Sequence, residues 1–335
     1  MLGYAPSIMA NSELTWETTK QWNVGVDFGF FNNRLSGTVD LYLQHTSDLL
    51  LERQIPVVSG FGSVLSNVGE TKNKGIEISL SSLNINTKSF QWTTDVMFYA
   101  NKESIESLYN GKVDDIGNKW FIGHPINVHY DYEKIGIWQN TPEDLAEMEE
   151  FNKNGANFKP GDIKIWDNGD KKITEADRKI LGSTSPKFIA SMVNSISYKG
   201  FDFSIFLYAS VGAMLNNNIE YLNKPGRANS IVIDYWTPTN PTNAYPRPSV
   251  DNASPAYVKS LQYEKADFIR VRNITLGYTL PEKLLKKIRA RKIRVYLSAN
   301  NPFIITGFSG IDPEGARGYT VPSASTWMGG VNLSF

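Results

Sequence analysis

Alternation of apolar and polar residues over long segments is the feature of this sequence that most limits its fold. In QWNVGVDFGF, the residues Trp22, Val24, Val26, Phe28 and Phe30 are apolar, and those between them are polar or glycine. Segments with the same period are 34–44, 74–82, 90–100, 201–209, 292–300 and 325–335. Because successive side chains of a β-strand point to opposite faces, this period predicts strands whose two faces meet different surroundings.

The length and composition of the apolar rows indicate what those surroundings are. Strands of soluble proteins typically have about five or six residues, whereas membrane-crossing strands need about nine to eleven. The apolar rows contain no Lys, Arg, Asp or Glu, and aromatic residues stand near their ends, as Trp22 and Phe30 do. Charged residues such as Asp27, Asp40 and Arg294 occupy the opposite rows, which must face water. We therefore predict an all-β fold, a transmembrane antiparallel β-barrel with a polar lumen.

The connections between the predicted strands differ in length in a regular way. Short turns alternate with long polar segments at 50–73, 101–187, 210–262 and 302–325. Outer-membrane barrels have short periplasmic turns and long extracellular loops, so this pattern gives about nine spanning strands. An odd number of strands, of which the first and the last both run toward the periplasm, cannot close a barrel that has an even number of strands. Residues 1–335 are therefore expected to form the C-terminal part of a larger barrel.

Several other classes of protein are excluded by composition and motifs. The chain has 34 basic and 34 acidic residues, and this balance argues against a partner that is a nucleic acid. It has no cysteine, no apolar run of about 18 residues and no secretory signal at its start. The three histidines lack metal-ligand spacing, and no G-x-S-x-G, phosphate-binding loop or H-E-x-x-H occurs. We expect no enzymatic activity.

Six ordered motifs resemble one family of outer-membrane transporters. They are LTWETTKQWNVGVDFGFFNNRLSGTVDLY, NVGETKNKGIEISL, PGDIKIWDNGDKKITEADRKILGSTSPKF, DYWTPTNPTNAYPR, ADFIRVRNITLGYTLP and NNPFIITGFSGIDPE. In this order they resemble the C-terminal portion of the barrel of SusC/RagA-type TonB-dependent transporters. The resemblance implies a plugged barrel of roughly 22 strands, whose plug and N-terminal strands are absent from residues 1–335.

The same resemblance implies an activity and partners. The activity is energised import of oligosaccharides, or of peptides in some members, across the outer membrane. The implied partners are a SusD-like surface lipoprotein, TonB acting through the missing N-terminal part, and outer-membrane lipid. Phe335 resembles the C-terminal aromatic residue that the barrel assembly machinery reads as a signal. Two alternatives stay open: a passive pore or adhesin-like barrel, and a soluble carbohydrate-binding β-protein.

Aromatic residues in the predicted loops are the candidate substrate contacts, because flat rings stack on sugar faces. They are Trp120, Tyr130, Tyr132, Trp138, Tyr235, Trp236, Tyr245 and Tyr257. The alternative is that these rings pack one loop against another or against the lipoprotein.

A second candidate site lies in DIKIWDNGDKKITEAD, which resembles a calcium-binding EF-hand loop found in relatives. Its possible ligands are Asp167, Asn168, Asp170 and Asp177, since calcium prefers clustered oxygen ligands. The ligand spacing is one residue short, and Lys171 stands where the turn glycine belongs. A structured loop without metal is the alternative, so calcium is the one cofactor to be tested.

Three local features complete the predictions. The segment that begins at Thr141 predicts a short helix that ends at Gly155, and its acidic residues Glu143, Glu147, Glu149 and Glu150 are expected to form a solvated face. The apolar phase switches near Arg272, which predicts a β-bulge where Arg270 or Arg272 meets an acidic partner. The basic run from Lys283 to Lys292 is expected to meet lipid head groups.

Overall fold

The computed structural model describes residues 9–217, 232–248, 255–287, 290–314 and 323–335. Strands dominate these residues, and the helices are few and short. The strands are β1 (Thr18–Phe30), β2 (Leu35–Gln54), β3 (Ser63–Asn86), β4 (Phe90–Ser107), β5 (Val128–Tyr132), β6 (Lys134–Ile137), β7 (Ile163–Ile165), β8 (Arg178–Ser183), β9 (Phe188–Tyr198), β10 (Phe201–Val211), β11 (Met214–Asn216), β12 (Tyr263–Lys265), β13 (Phe268–Thr279), β14 (Lys292–Thr306) and β15 (Thr326–Ser334). The α-helices are α1 (Pro142–Lys153) and α2 (Glu282–Lys287).

A nine-stranded antiparallel sheet forms the frame of the described residues, which confirms the predicted all-β antiparallel fold and strand number. Its order is β1-β2-β3-β4-β9-β10-β13-β14-β15, and every neighbouring pair is antiparallel. Three two-stranded sheets, β5-β8, β6-β7 and β11-β12, lie outside this frame. No helix in the described residues is long and apolar enough to cross a membrane.

The register of the large sheet places the apolar rows of neighbouring strands side by side. Val26 pairs with Val39, and Val39 pairs in turn with Ile78. The same continuity holds farther along the sheet, where Phe203 pairs with Leu276. Because a slip of one residue would move a whole row to the other face, this register fixes one continuous apolar face.

Many residues of that apolar face are exposed, although they are large and hydrophobic. Trp22 is 78% exposed, Leu297 67% and Trp327 69%. A soluble protein rarely exposes an apolar area of this extent, because burying it would remove it from water. The face therefore requires a covering medium or a further layer.

Several strands are longer than the sequence predicted, so three expected loops are shorter. The polar segment 50–73 was expected to be a loop, but β2 and β3 continue through most of it and pair as far as Gln54 and Ser63. Likewise, β4 extends to Ser107 and β14 to Thr306. Above the apolar zone both faces of a strand meet water, so the alternation disappears while the backbone hydrogen bonds continue.

The predicted β-bulge is confirmed in β13. Val271 pairs with Leu207 and Asn273 with Phe206, so Arg272 is an extra residue between them. The same shift appears against β14. The bulge restores Ile274 and the residues after it to the apolar face.

The helix predicted to begin at Thr141 is present, and a second short helix, α2, forms as well. The side chain of Thr141 accepts a hydrogen bond from the backbone N–H of Asp144 and caps α1, and Gly155 follows the helix with a φ of +95°. The helix α2 lies in the turn between β13 and β14, within the basic run. Arg289, a member of that run, lies outside the described residues. Phe335 follows β15 and is 75% exposed, and its role as an assembly signal stays a prediction.

Candidate functional site

Two long connections fold together at one end of the large sheet. They are residues 108–187, between β4 and β9, and residues 212–267, between β10 and β13; we call their described residues the loop assembly. His129 Nε2 donates to the carbonyl oxygen of Met214 over 2.9 Å, and burial lowers the pKa of His129. The hydroxyl of Tyr263 donates to Asp131 Oδ2 over 2.8 Å. These bonds join the two connections into one unit.

The loop assembly has its own hydrophobic core, which explains why it can be ordered outside the sheet. One cluster of buried side chains contains Ile137, Ile163, Ile165, Trp236 and Leu261. A neighbouring cluster contains Trp138, Met148, Phe151 and Phe158. The apolar residues of these loops therefore pack mainly on one another.

The structure buries two of the predicted substrate contacts, Trp138 and Trp236, in the core of the loop assembly, and their contact with substrate stays a prediction. Trp138 is only 1% exposed, and its ring packs edge-on against Phe151 with centroids 5.8 Å apart. Trp236 is 6% exposed, and its indole N–H donates to Gln139 Oε1 over 2.8 Å. Neither ring has a free face on which a sugar could stack, because core packing covers both.

Ion pairs attach α1 to this core. Lys164 Nζ donates to Asp144 Oδ1 over 2.9 Å and to Glu147 Oε2 over 2.7 Å, and Lys171 Nζ donates to Glu147 Oε1 over 2.9 Å. Burial alone would raise the pKa of Glu147, but hydrogen bonds from the two ammonium groups outweigh it and lower that pKa. Glu147 is therefore a structural anchor, in contrast to its predicted place on a solvated face, while Glu149 is largely exposed beside Lys153.

Three of the predicted aromatic residues line one cavity of about 410 Å³, namely Tyr130, Tyr132 and Tyr257. Their rings are partly buried and partly exposed. The rings of Tyr132 and Tyr257 meet edge-to-face with centroids 5.0 Å apart. Burial, followed by the charges of Tyr132 and Asp177, raises the pKa of Tyr257, so its hydroxyl stays protonated at neutral pH. The structure thus brings together residues that lie more than a hundred positions apart in the sequence.

The remaining predicted aromatic residues lie elsewhere. Tyr245 lines a second cavity of about 420 Å³ together with Lys134 and Glu264. Trp120 is half-buried in a tight turn in which its backbone N–H donates to the carbonyl oxygen of Asp115 over 2.9 Å. Tyr235 is 44% exposed. These three residues do not share a site with the Tyr130 cavity, and their contact with substrate stays a prediction.

Sequence reasoning missed the charged residues of the Tyr130 cavity. Lys119, Arg178 and Lys259 line it, and none of them was singled out. Lys259 stands two residues after Tyr257, and a search for basic residues beside loop aromatics would have found it. Arg178 and Lys119 could not be linked to the tyrosines without the fold, because they come from distant points of residues 108–187.

The candidate calcium loop brings three carboxylates together. Oxygen atoms of Asp167, Asp170 and Asp177 all lie within 4.8 Å of one another. Asp177 is fully buried, and its two oxygens accept the backbone N–H groups of Asn168 and Thr174. These bonds give Asp177 a structural role that needs no metal.

Two details of the loop bear on whether it fits an ion. Asp167 Oδ1 is buried and has no hydrogen-bond partner among the described residues, so it is the oxygen best placed to hold a cation. Lys171 adopts a φ of +58°, the left-handed conformation of the missing turn glycine. Its ammonium group binds Glu147, outside the carboxylate group. Calcium binding by this loop stays a prediction.

Comparison with known proteins places the chain in a family. Residues 2–301 match the family model described as "TonB dependent receptor-like, beta-barrel". The "TonB-dependent receptor P3" of Formosa agariphila is 35% identical over 322 residues, which cover 91% of this chain and 31% of that protein. The "TonB-dependent receptor SusC" of Bacteroides thetaiotaomicron is 32% identical, with 97% of this chain and 32% of that protein covered.

A solved structure shows the same fold. The chain superposes on a chain of the RagAB peptide transporter with a TM-score of 0.77 and 26% sequence identity, covering 98% of this chain and 36% of that one. The curated relatives are named as TonB-dependent receptors, and the solved structure as a peptide transporter. The chain spans about a third of the length of the curated relatives named above.

Proposed function

The chain belongs to the TonB-dependent receptor-like β-barrel family, and from this membership we propose that it forms part of an outer-membrane transporter energised through TonB. The cargo is an oligosaccharide or a peptide. Residues 1–335 are the C-terminal part of the barrel in this proposal, and the plug and TonB-contacting segment belong to the rest of a protein about three times as long, as the relatives are.

The continuous apolar band across one face of the nine-stranded sheet is the observation that carries the proposal. Apolar residues of nine successive strands align on it, and many of them are exposed. On the opposite face, Asp202 and Arg294 form an ion pair of 2.5 Å, which is stable only where water or other polar groups surround it. One face in hydrocarbon and the other in a wet lumen is the arrangement of a membrane barrel.

The proposed location and partners follow from the orientation of the nine-stranded sheet and the position of the loop assembly. The strands cross the outer membrane, and the loop assembly lies on the extracellular side, where long loops of such barrels lie. A SusD-like lipoprotein covers the loop assembly, as the resemblance to SusC-type transporters implies. The chain has no enzymatic role in this proposal and acts by binding and passing its cargo.

Two cargo classes are open. The resemblance to SusC-type transporters implies an oligosaccharide, and the likeness to the RagAB peptide transporter supports a peptide. The partly exposed tyrosines of the loop assembly suit both classes, because their rings have an apolar body and a polar hydroxyl. The aromatic residues therefore do not distinguish an oligosaccharide from a peptide, and another feature of the site must do so.

The test of energised import is uptake by cells that carry the full-length protein. We expect labelled oligosaccharide or peptide cargo to accumulate, and collapse of the proton gradient to abolish accumulation. A gene deletion strain and a strain with only the TonB protein deleted serve as controls. Uptake that continues without the gradient would show a passive pore and would overturn the proposal.

A further inference from the structure

The Tyr130 cavity, defined above by Tyr130, Tyr132 and Tyr257, has a charge that the proposed function does not explain. Its lining contains three cations, Lys119, Arg178 and Lys259, and one carboxylate, that of Asp131. Its volume of about 410 Å³ lies within the range of about 300 to 1,000 Å³ that ligand sites occupy. The lining is therefore both aromatic and cationic.

The single carboxylate of the cavity is already engaged. Asp131 Oδ1 accepts the backbone N–H of Tyr132 over 2.9 Å, and Oδ2 accepts the hydroxyl of Tyr263 over 2.8 Å. In the described part of the chain, neither Lys119 nor Lys259 forms an ion pair. The positive charge of these lysines is thus not balanced from within the cavity.

Arg178 adds a hydrogen-bond donor that lacks an acceptor. Its Nε atom is buried and has no hydrogen-bond partner within the described residues. Its Nη1 atom lies 3.2 Å from Glu175, whose side chain is 83% exposed, so solvent weakens that pair. The guanidinium lies 5.1 Å from the ring centroid of Tyr132, which fixes its plane beside the aromatic lining.

We propose that this cavity binds an acidic sugar unit, such as a uronate, of an oligosaccharide cargo. The inference rests on the proposed function and assigns the cargo class that its relatives leave open. The tyrosine rings present negative faces that attract the C–H bonds of a sugar ring. The carboxylate of the sugar pairs with Arg178 and the two lysines, which supplies the missing acceptors.

Neutral sugars and acidic peptides fit the cavity less well. A neutral sugar would cover the cations without balancing them, and a charge removed from water without a partner is costly. An acidic peptide offers carboxylates, but its flexible chain loses more conformational freedom on binding than a sugar ring does. The combination of three rings with three cations favours a rigid ring that carries its own charge.

The binding experiment uses the full-length transporter in detergent and isothermal titration calorimetry. The probes are trigalacturonate, maltotriose as the neutral sugar, and tri-aspartate as the acidic peptide. We expect trigalacturonate to bind at least about tenfold more tightly than either control. Equal binding of maltotriose would overturn the assignment of an acidic ligand, and tighter binding of tri-aspartate would overturn the assignment of a sugar.

Variants connect the binding to this cavity. The double variant Lys119→Gln/Lys259→Gln should weaken trigalacturonate binding by about ten- to a hundredfold and flatten its salt dependence. Lys153→Gln is the matched control, because Lys153 is exposed on α1 away from the cavity. Lys119→Arg/Lys259→Arg should retain binding. Unchanged affinity in the glutamine variant would overturn the proposal, and a circular dichroism spectrum like that of the parent confirms folding.

Failure of this inference is distinguishable from failure of the proposed function. Binding in detergent needs no proton gradient, whereas import does. If the protein imports a neutral oligosaccharide in a gradient-dependent way and does not bind trigalacturonate, only the proposal that the cavity binds an acidic sugar is contradicted. A protein that binds trigalacturonate yet passes it without the gradient would contradict only energised import.

Discussion

The guanidinium of Arg270 donates to Asp312 Oδ1 over 2.6 Å, and the two side chains are only 4% and 6% exposed. Arg270 lies in β13, one residue before the bulge begins, and Asp312 lies in the segment that follows β14. Asp312 also accepts the backbone N–H groups of Glu314 and Ser323. A single buried carboxylate therefore fastens the connection between β14 and β15 to the polar face of the sheet.

The bulge makes this arrangement possible. Arg272, the extra residue, binds Glu314 and lies 4.6 Å from the ring centroid of Tyr208, a polar-face residue. Both arginines therefore lie on the polar face, although Ile274 returns to the apolar face. In a regular strand, residues 270, 272 and 274 would all point to the same face. Without the bulge, Ile274 would therefore lie on the polar face with the two arginines.

Removal of Arg270 should detach this segment. Arg270→Ala leaves the carboxylate of Asp312 buried without its cation, which costs about 3 to 5 kcal/mol. We expect the amides of Glu314 and Ser323 to lose most of their protection from hydrogen exchange, measured by mass spectrometry. Arg272→Ala, at a more exposed position, should have a smaller effect. Equal protection in Arg270→Ala and the parent protein would show that other contacts hold the segment.

The same carboxylate should make the segment sensitive to acid. Burial alone would raise the pKa of Asp312, but the N–H groups of Ser323 and Glu314 and the charge of Arg270 outweigh it and lower that pKa. Because the folded pKa lies below the unfolded value of about 3.9, the stabilisation is complete at higher pH and is lost as pH falls through the folded pKa.

The measurement is the protection factor of the Ser323 amide between pH 7 and pH 3. We expect a constant value above about pH 5 and a fall below about pH 4. Asp312→Asn should show weak protection at every pH, since the amide has no charge to lose. A parent profile that stays flat down to pH 3 would contradict the assignment to Asp312.

The sheet could be predicted from the sequence, because its two faces differ in solvent. The row from Trp22 to Phe30 and the bulge at Arg272 were both predictable, since the apolar rows exclude every charged residue. The extension of β2 to Gln54 was not, because beyond the apolar zone both faces of the strand are polar and the period of two is lost. The alternation of apolar and polar residues therefore cannot show where a strand ends once both of its faces are polar.

The loop assembly was less predictable, because its contacts join distant residues. The helix α1 followed from local signals at Thr141 and Gly155. The roles of Trp138 and Trp236 did not follow from local signals, because the sequence around an aromatic residue in a polar segment is similar whether the ring binds cargo or packs in a core. Only the fold shows that a small separate core forms outside the sheet and that both tryptophan rings are buried in it.

Trp138 should matter for the stability of the loop assembly. Trp138→Ala removes a fully buried ring from contact with Phe151 and Phe158, and we expect a loss of about 3 to 5 kcal/mol. Trp138→Phe should cost less, because the ring remains and the buried indole N–H has no partner among the described residues. Limited proteolysis within residues 108–187 measures the difference. Tyr235→Ala is the exposed aromatic control, and cleavage equal to that of Trp138→Ala would refute the core role.

The two faces of β10 should respond in opposite ways to a charge. Ile205 lies on the apolar face between Asn194 and Ile274, and Ser204 is its neighbour on the polar face. An arginine facing lipid near the bilayer centre costs about 2 to 4 kcal/mol, whereas a lumen substitution costs little. Ile205→Arg should therefore lower the amount of folded protein in the outer membrane much more than Ser204→Arg. Equal yields, measured by membrane fractionation and immunoblotting, would contradict a lipid-facing side.

Calcium binding by the loop around Asp167 is decided by the unpartnered oxygen of that residue. Asp167 Oδ1 is buried without a hydrogen-bond partner in the described residues, and oxygens of Asp170 and Asp177 lie within 4.8 Å. Asp177 Oδ1 accepts one backbone N–H and keeps a second lone pair for an ion, whereas Oδ2 accepts both the backbone N–H and the hydroxyl of Thr174. We expect a dissociation constant on the order of 10⁻⁴ to 10⁻³ M, as in extracellular modules with few ligands.

Calorimetric titration of the full-length protein with Ca²⁺ tests this expectation, with Mg²⁺ as the competing ion. Asp167→Asn should weaken calcium binding at least about tenfold, because it replaces the charged oxygen that has no other partner. Glu150→Gln, which removes an exposed acid of α1, should leave binding unchanged. If the parent protein gives no heat at 10 mM Ca²⁺, on the order of ten times the expected dissociation constant, the loop is a metal-free structure held by the hydrogen bonds of Asp177.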